Sequence, residues 1–151
     1  MEENFNKLGI IELIKHWSKV FGLPVNSEEK LPSRDRIALS LSLIDEEFME
    51  VVDAIDENNF TEVKDGLGDL LWVTVRMMME CGINPEEVIA KIYESNMSKA
   101  DLTQEDALIT YEKYKNEGIH TYIKEIDGYF ITYRSSDHKV LKSHKFKTPE
   151  L

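Results

Sequence analysis

The sequence predicts a mainly α protein: a four- to five-helix bundle ending in a small C-terminal antiparallel β-hairpin or meander. Three observations carry this reading. Apolar residues recur at helical spacing in successive segments up to Gly118, and most of these segments open on a helix-capping residue. After Gly118 the composition shifts to Tyr, Ile and Thr on either side of an Asp-Gly pair, a strong hairpin signal. The 151 residues suit one domain, with residues 1–118 as the helical bundle and residues 119–151 as a β appendage and tail of the same domain.

The first helix holds Leu8, Ile11, Ile14, Trp17 and Phe21 on one face and stops at Gly22. A loop punctuated by Pro24 and Pro32 follows. Ser33 caps a second helix running to about Glu57, and Asn58-Asn59 breaks it. Thr61 is expected to cap a third helix ending near Gly82. Asn84 then caps a fourth with Pro85 at its first position. A fifth runs from a Thr103 cap to Gly118. Asp127-Gly128 joins two strands, and "SSDHK" reads as a second turn before a short third strand.

The formal net charge of -11 argues against a nucleic-acid polymer or an anionic membrane as partner. The lone Cys81 excludes an intramolecular disulfide and a cysteine zinc cluster, and fits a reducing cytoplasm. The polar N-terminus "MEENFNKLG" has no signal-peptide character, and no apolar run reaches membrane-spanning length.

Where the acids point decides the function. On the second helix Ile37, Leu41, Ile44, Phe48, Val51 and Ile55 form one apolar stripe, with Asp35, Ser42, Asp45 and Asp53 opposite and Glu46 beside them. Glu47 and Glu50 fall on the flank of Leu39, Leu43 and Ala54, which is expected to be partly buried. On the third helix Glu62, Asp65, Asp69, Arg76 and Glu80 share one charged line on an otherwise apolar cylinder. That cylinder predicts cover on most sides, including a subunit interface. Arg76 is expected to form a structural ion pair with a carboxylate, with a phosphate clamp as the alternative. Met77–Met79 read as packing.

Carboxylates on two neighbouring helices suit a hard cation that keeps waters and is completed by phosphate oxygens, as Mg²⁺ is. His16, His120, His138 and His144 are scattered, and no helix carries the Glu-x-x-His of di-iron bundles. Solvent-facing decoration is an equally good reading of the acids on geometry alone. Asn96 aligns with Ile89 and Ile92 and is expected to point inward, with Lys99 just beyond that face. Trp17 can stack on a base, although a lone Trp at helical spacing is more often core.

At these residues the chain resembles the all-α nucleoside triphosphate pyrophosphohydrolases, the MazG-like group, marked by EExxE on one helix and ExxD on the next. "EEFME" (Glu46, Glu47, Glu50) matches the first half in full. "DGLGD" matches the second in part: Asp69 stands at the final aspartate, Gly66 replaces the preceding glutamate, and Asp65 can supply an oxygen from one residue earlier. The "DxLxD" form followed by "LLW" is similar to the phosphoribosyl-ATP-pyrophosphohydrolase-like branch. "WSKVFGLPV", "SNMSK", "YRSSDHKVLKS" and "TPEL" resemble further segments of that branch.

The resemblance implies a Mg²⁺-dependent (or Mn²⁺-dependent) pyrophosphohydrolase that cuts a nucleotide between its α and β phosphates. It implies Glu47, Glu50, Asp65 and Asp69 as metal ligands and Glu46, with Glu47, as catalytic. Asn96 and Lys99 would hold phosphate oxygens and Trp17 would contact substrate. The assembly expected is a homodimer or homotetramer. A phosphoribosyl-ATP pyrophosphohydrolase of histidine synthesis and a non-catalytic nucleotide- or protein-binding helical module stay open, the second because of Gly66.

Overall fold

A computed structural model describes residues 9–151; Leu8 and the rest of the N-terminus lie outside the described residues. Among the described residues there are five helices and one hairpin: α1 (Ile10–Val20), α2 (Arg34–Asp56), α3 (Phe60–Glu80), α4 (Pro85–Met97), α5 (Gln104–Asn116), β1 (Thr121–Ile126) and β2 (Tyr129–Arg134). No described helix is long and apolar enough to cross a membrane. The chain forms two compact units, one through Glu86 and one from Glu87 to Leu151.

The caps explain the boundaries. The Ser33 side chain accepts from Arg36 N to open α2, and Thr103 Oγ1 accepts from Asp106 N at 3.1 Å to open α5. Asn84 Oδ1 accepts from Glu86 N ahead of Pro85. For α3 the cap is Asn59, whose side chain accepts from Glu62 N, and not Thr61. Asn58 takes a left-handed φ of 54°, and this tight corner lets the helix start two residues earlier than expected.

In the first unit α2 and α3 lie side by side and α1 packs on α3. The core is Ile14, Val75 and Met79, with Ile11, Val25 and Trp72 around it. The predicted core stripe of α2 is packed along one edge: Val51 is buried and Ile37 and Ile44 are half-buried. Leu41, Phe48 and Ile55 are 52%, 51% and 59% exposed, whereas Ser40, Val51 and Ala54 are buried. The helix is turned by roughly 70° from the expected orientation, at about 100° per residue. The reason is the partner: small residues on both helices allow a closer approach than the large ones would.

In the second unit β1 and β2 pair antiparallel from Thr121↔Arg134 to Ile126↔Tyr129. The two-residue turn between them has φ 50° at Asp127 and 79° at Gly128, a type I′ turn. The expected third strand reduces to a single bridge, Tyr133↔Val140. Beyond it the chain straps across α5 and α4. Tyr114 Oη donates to Lys142 O at 2.8 Å, His144 N donates to Thr110 Oγ1 at 3.0 Å, and Ser95 Oγ donates to Lys147 O at 2.9 Å.

Candidate active site

The seam between α2 and α3 sets the site. Gly66 is buried in it, and a Cβ there would stand 2.9 Å from Val51 Cγ2. The residue that departs from the acidic motif is thus a spacer that lets the two helices close up. Farther along the seam, the almost fully buried Glu80 accepts from Arg36 Nε at 2.5 Å and Nη2 at 2.9 Å. This bidentate pair ties the start of α2 to the end of α3 and holds their register.

Between the spacer and the ion pair sits Glu47, half-buried on the face of α2 that meets α3. Its carboxyl is pushed above the usual range, first by desolvation, then by Asp69, Glu50, Glu46 and Asp65. Four further carboxylates from two helices therefore act on one. Among the described residues no cationic side chain pairs with Glu47. Glu46, Glu50, Asp65 and Asp69 are exposed at the edge of the seam, so Glu50 is wetter than its flank predicts. Among the described residues no three His, Cys, Asp or Glu close on a common point in metal-holding geometry. The donor set is all carboxylate oxygen and fits a hard divalent cation, for which Glu47, Glu50, Asp65 and Asp69 are the available ligands.

Trp17 belongs to an aromatic slot. Its ring stacks on Phe21 at 4.7 Å and meets Trp72 edge-on at 5.6 Å. The slot encloses about 330 Å³ and is completed by Leu13, His16 and Val20. Trp72 stands one turn beyond Asp69 on α3, so slot and acids share a helix. Arg76 does not make the expected carboxylate ion pair among the described residues: Glu80 is taken by Arg36, and the Arg76 guanidinium lies 5.3 Å over the Trp17 ring. Burial lowers its pKa.

Asn96 and Lys99 lie in the second unit. Asn96 is exposed, contrary to the inward orientation expected for it, and Lys99 Nζ donates to its Oδ1 at 2.6 Å. The line it shares with Ile89, itself 58% exposed, is an open face of α4; the helix turns Ser95 inward instead. The sequence offered no sign of the Arg36–Glu80 pair, separated by 44 residues. Trp72 was legible only as part of an apolar run.

The family described as phosphoribosyl-ATP pyrophosphohydrolase matches residues 14–96, from α1 through most of α4. Among curated proteins, the uncharacterized protein L479 of Acanthamoeba polyphaga mimivirus is 35% identical over 85 residues. That alignment covers 54% of this chain but 34% of the viral protein, so the chain spans about a third of its relative's length. The matched stretch contains the acidic seam, the Arg36–Glu80 pair and the three rings of the aromatic slot. On that match the chain belongs to the phosphoribosyl-ATP pyrophosphohydrolase family, within the MazG-like all-α nucleoside triphosphate pyrophosphohydrolases.

Proposed function

We propose that the protein is a Mg²⁺-dependent nucleotide pyrophosphohydrolase, cutting an NTP, a dNTP or a related nucleotide between its α and β phosphates to a monophosphate and pyrophosphate. The observation that carries this is the half-buried Glu47, pressed by Asp69, Glu50, Glu46 and Asp65 with no cationic side chain among the described residues to balance it. Such a cluster is costly unless a divalent cation and its phosphate ligand complete it. Glu47, Glu50, Asp65 and Asp69 would hold the ion, which supplies charge neutralisation at the phosphates and acidifies a water.

Glu46, exposed beside the seam, orients the attacking water and takes its proton. Water oxygen bonds to phosphorus, the bond from phosphorus to the bridging oxygen breaks, and pyrophosphate and monophosphate separate. Lys99, whose Nζ donates to Asn96 Oδ1, belongs to the second unit, and the resemblance of SNMSK is what brings the two into the reading as phosphate-binding groups. The Trp17–Trp72 slot is its base-stacking surface.

A second copy of the chain is the expected partner. Leu41, Phe48 and Ile55 on α2, and Leu67 and Leu71 on α3, leave apolar ridges open that a homodimer or homotetramer would cover. The buried, free Cys81 fits a reducing, cytoplasmic setting.

The test is pyrophosphate release from a panel of NTPs, dNTPs and phosphoribosyl-ATP with Mg²⁺ or Mn²⁺, run beside Glu50→Gln. Metal-dependent release by the wild type that the variant lacks supports the reading, and the panel names the substrate. Failure on every nucleotide overturns it in favour of a binding module.

A further inference from the structure

The charged line of α3 holds one residue that the proposed hydrolysis leaves unused. Arg76 is half-buried, and the carboxylate one turn away, Glu80, is engaged at both oxygens by Arg36. Among the described residues no ion pair or hydrogen bond takes up the Arg76 guanidinium, which rests 5.3 Å over the Trp17 ring. Its nitrogens are not sealed from solvent: the buried side-chain atoms without a partner among the described residues belong to Asp101, Thr121 and Thr132. A guanidinium stays protonated and carries N–H donors and no acceptor, so Arg76 presents accessible, uncommitted donors.

Helical geometry places those donors in one groove with the acids. At about 100° per residue, Asp65, Asp69, Trp72 and Arg76 fall within an arc of about 60° on α3. On one side of the arc Val75 and Met79 pack on Ile14 of α1. On the other, Gly66 meets Val51 and Glu80 meets Arg36, both on α2. The arc therefore looks into the groove between α1 and α2. Arg76 stands two turns beyond Asp69, about 10 Å along the helix, with Trp72 between them. Arg36 and Glu80 neutralise each other, which leaves Arg76 as the surplus positive charge at that end.

The order along α3 of acids, indole and guanidinium matches the order along a nucleotide of phosphates, base and far base edge. The aromatic slot is lined by Leu13, His16, Trp17, Val20, Phe21 and Trp72, and stacking between rings grips every base alike. Arg76 touches the slot through Trp17 and adds what stacking lacks. At the edge where bases differ, guanine O6 and the O4 of uracil or thymine accept hydrogen bonds, whereas adenine N6 and cytosine N4 donate them. We propose that Arg76 is a specificity-determining residue, which donates to the ring carbonyl of the bound base and so selects oxo bases over amino bases. This inference rests on the proposed hydrolase, in whose slot the base stacks.

The experiment is an NMR titration of the full ¹⁵N-labelled chain in EDTA, read at the indole N–H groups of Trp17 and Trp72, which are the chain's two tryptophans. The probes are two pairs of nucleosides that differ at the edge in question: inosine against adenosine, and uridine against cytidine. With neither phosphate nor metal present, the titration is independent of hydrolysis. Each oxo member should bind about tenfold more tightly than its amino partner, the scale of one hydrogen bond to a charged group. Arg76→Met, which keeps an apolar stem against Trp17, should bring both pairs level. Arg76→Gln, whose amide both donates and accepts, should do the same, and either variant that melts like the wild type decides the matter.

Three outcomes overturn the proposal. One is no saturable shift of either indole with any of the four nucleosides. Another is equal affinity within each pair for the wild type. The last is a preference that survives in the variants, or a uniform loss across all four nucleosides, either of which would leave Arg76 a prop for Trp17. Pyrophosphate release without the oxo preference would refute this role and leave the hydrolase standing. The preference without pyrophosphate release would do the reverse.

Discussion

Replacing Gly66 with alanine sets two opposed effects against each other on one helix. Alanine is the better helix former by about 1 kcal/mol. Its Cβ, however, would stand 2.9 Å from Val51 Cγ2, about 0.5 Å inside the 3.4 Å at which ordinary contact begins. Valine is stiff about χ1 and cannot swing that methyl aside cheaply, so overpacking should cost about 1–3 kcal/mol. The net expectation is a loss near 1 kcal/mol, or about 2–4 °C in Tm for a chain of this size. The backbone of Val51 is not in the way: its N and Cα stand at 3.4 and 3.6 Å from the same Cβ. In a Val51→Ala background the obstructing methyl is gone, and Gly66→Ala should become stabilising by about 0.5–1 kcal/mol. The assay is thermal and urea unfolding of the four proteins at one concentration, followed by circular dichroism. If Gly66→Ala stabilises the wild type as much as it does the Val51→Ala protein, the helices do not approach as described and the spacer role is wrong.

Glu47→Gln should raise the Tm of the metal-free protein at pH 7, because it removes the charge that Asp69, Glu50, Glu46 and Asp65 oppose. It should also abolish the Tm increment given by Mg²⁺, read in the same scan with and without EDTA. Glu80→Gln should cost about 3 kcal/mol by urea unfolding, the low end for a buried ion pair, since the Arg36 side chain stays 32% exposed. Combining Arg36→Met with Glu80→Leu should recover most of that loss, because no charge is then left buried without its partner. Arg134 holds the Asp137 carboxyl down at about 2, below the ~4 of an unfolded aspartate. The pair therefore stabilises above about pH 4, and that contribution fades as pH falls towards 2; Asp137→Asn should flatten the pH–stability curve across that window. Trp17→Ala should raise KM for a nucleotide substrate more than it lowers kcat, because stacking acts on the bound base and not on the reacting phosphate.

The element order was legible because its signals are local. Ser33, Asn84 and Thr103 announce their helices within three residues, and Asp127-Gly128 encodes a turn needing two positive φ angles. Thr61 misled because Asn59 is as good a cap and a corner at Asn58 favoured it. The face of α2 was misread for a different reason. Size and hydropathy pointed to Leu41, Phe48 and Ile55, but closeness of approach favours small residues, and that depends on Gly66 in a different helix. The acidic cluster could be read from helical spacing, since Glu47, Glu50, Asp65 and Asp69 sit one turn apart in pairs. The pairing of Arg36 with Glu80 and of Asp101 with Ser143 could not, since nothing in a lone sequence ties residues 44 or 42 positions apart.

The segment between α1 and α2 looks like a linker, with two prolines and mostly exposed residues. Its hydrogen bonds say otherwise. Asn26 N donates to Met79 O at 3.0 Å, Asn26 Nδ2 to Glu80 O at 2.6 Å, and Lys30 N to Cys81 O at 3.0 Å, so the loop supplies donors to the carbonyls that end α3. Gly82 leaves room for it: a Cβ there would stand 2.1 Å from Glu28 O. The last turn of α3 is therefore completed by residues made some fifty positions earlier. A protease nick, a permuted terminus or a shortened loop in residues 24–31 would fray the end of α3 that bears Glu80. This stretch is a poor choice for splitting or fusing the protein, and the hairpin tip at Asp127-Gly128 is the better one.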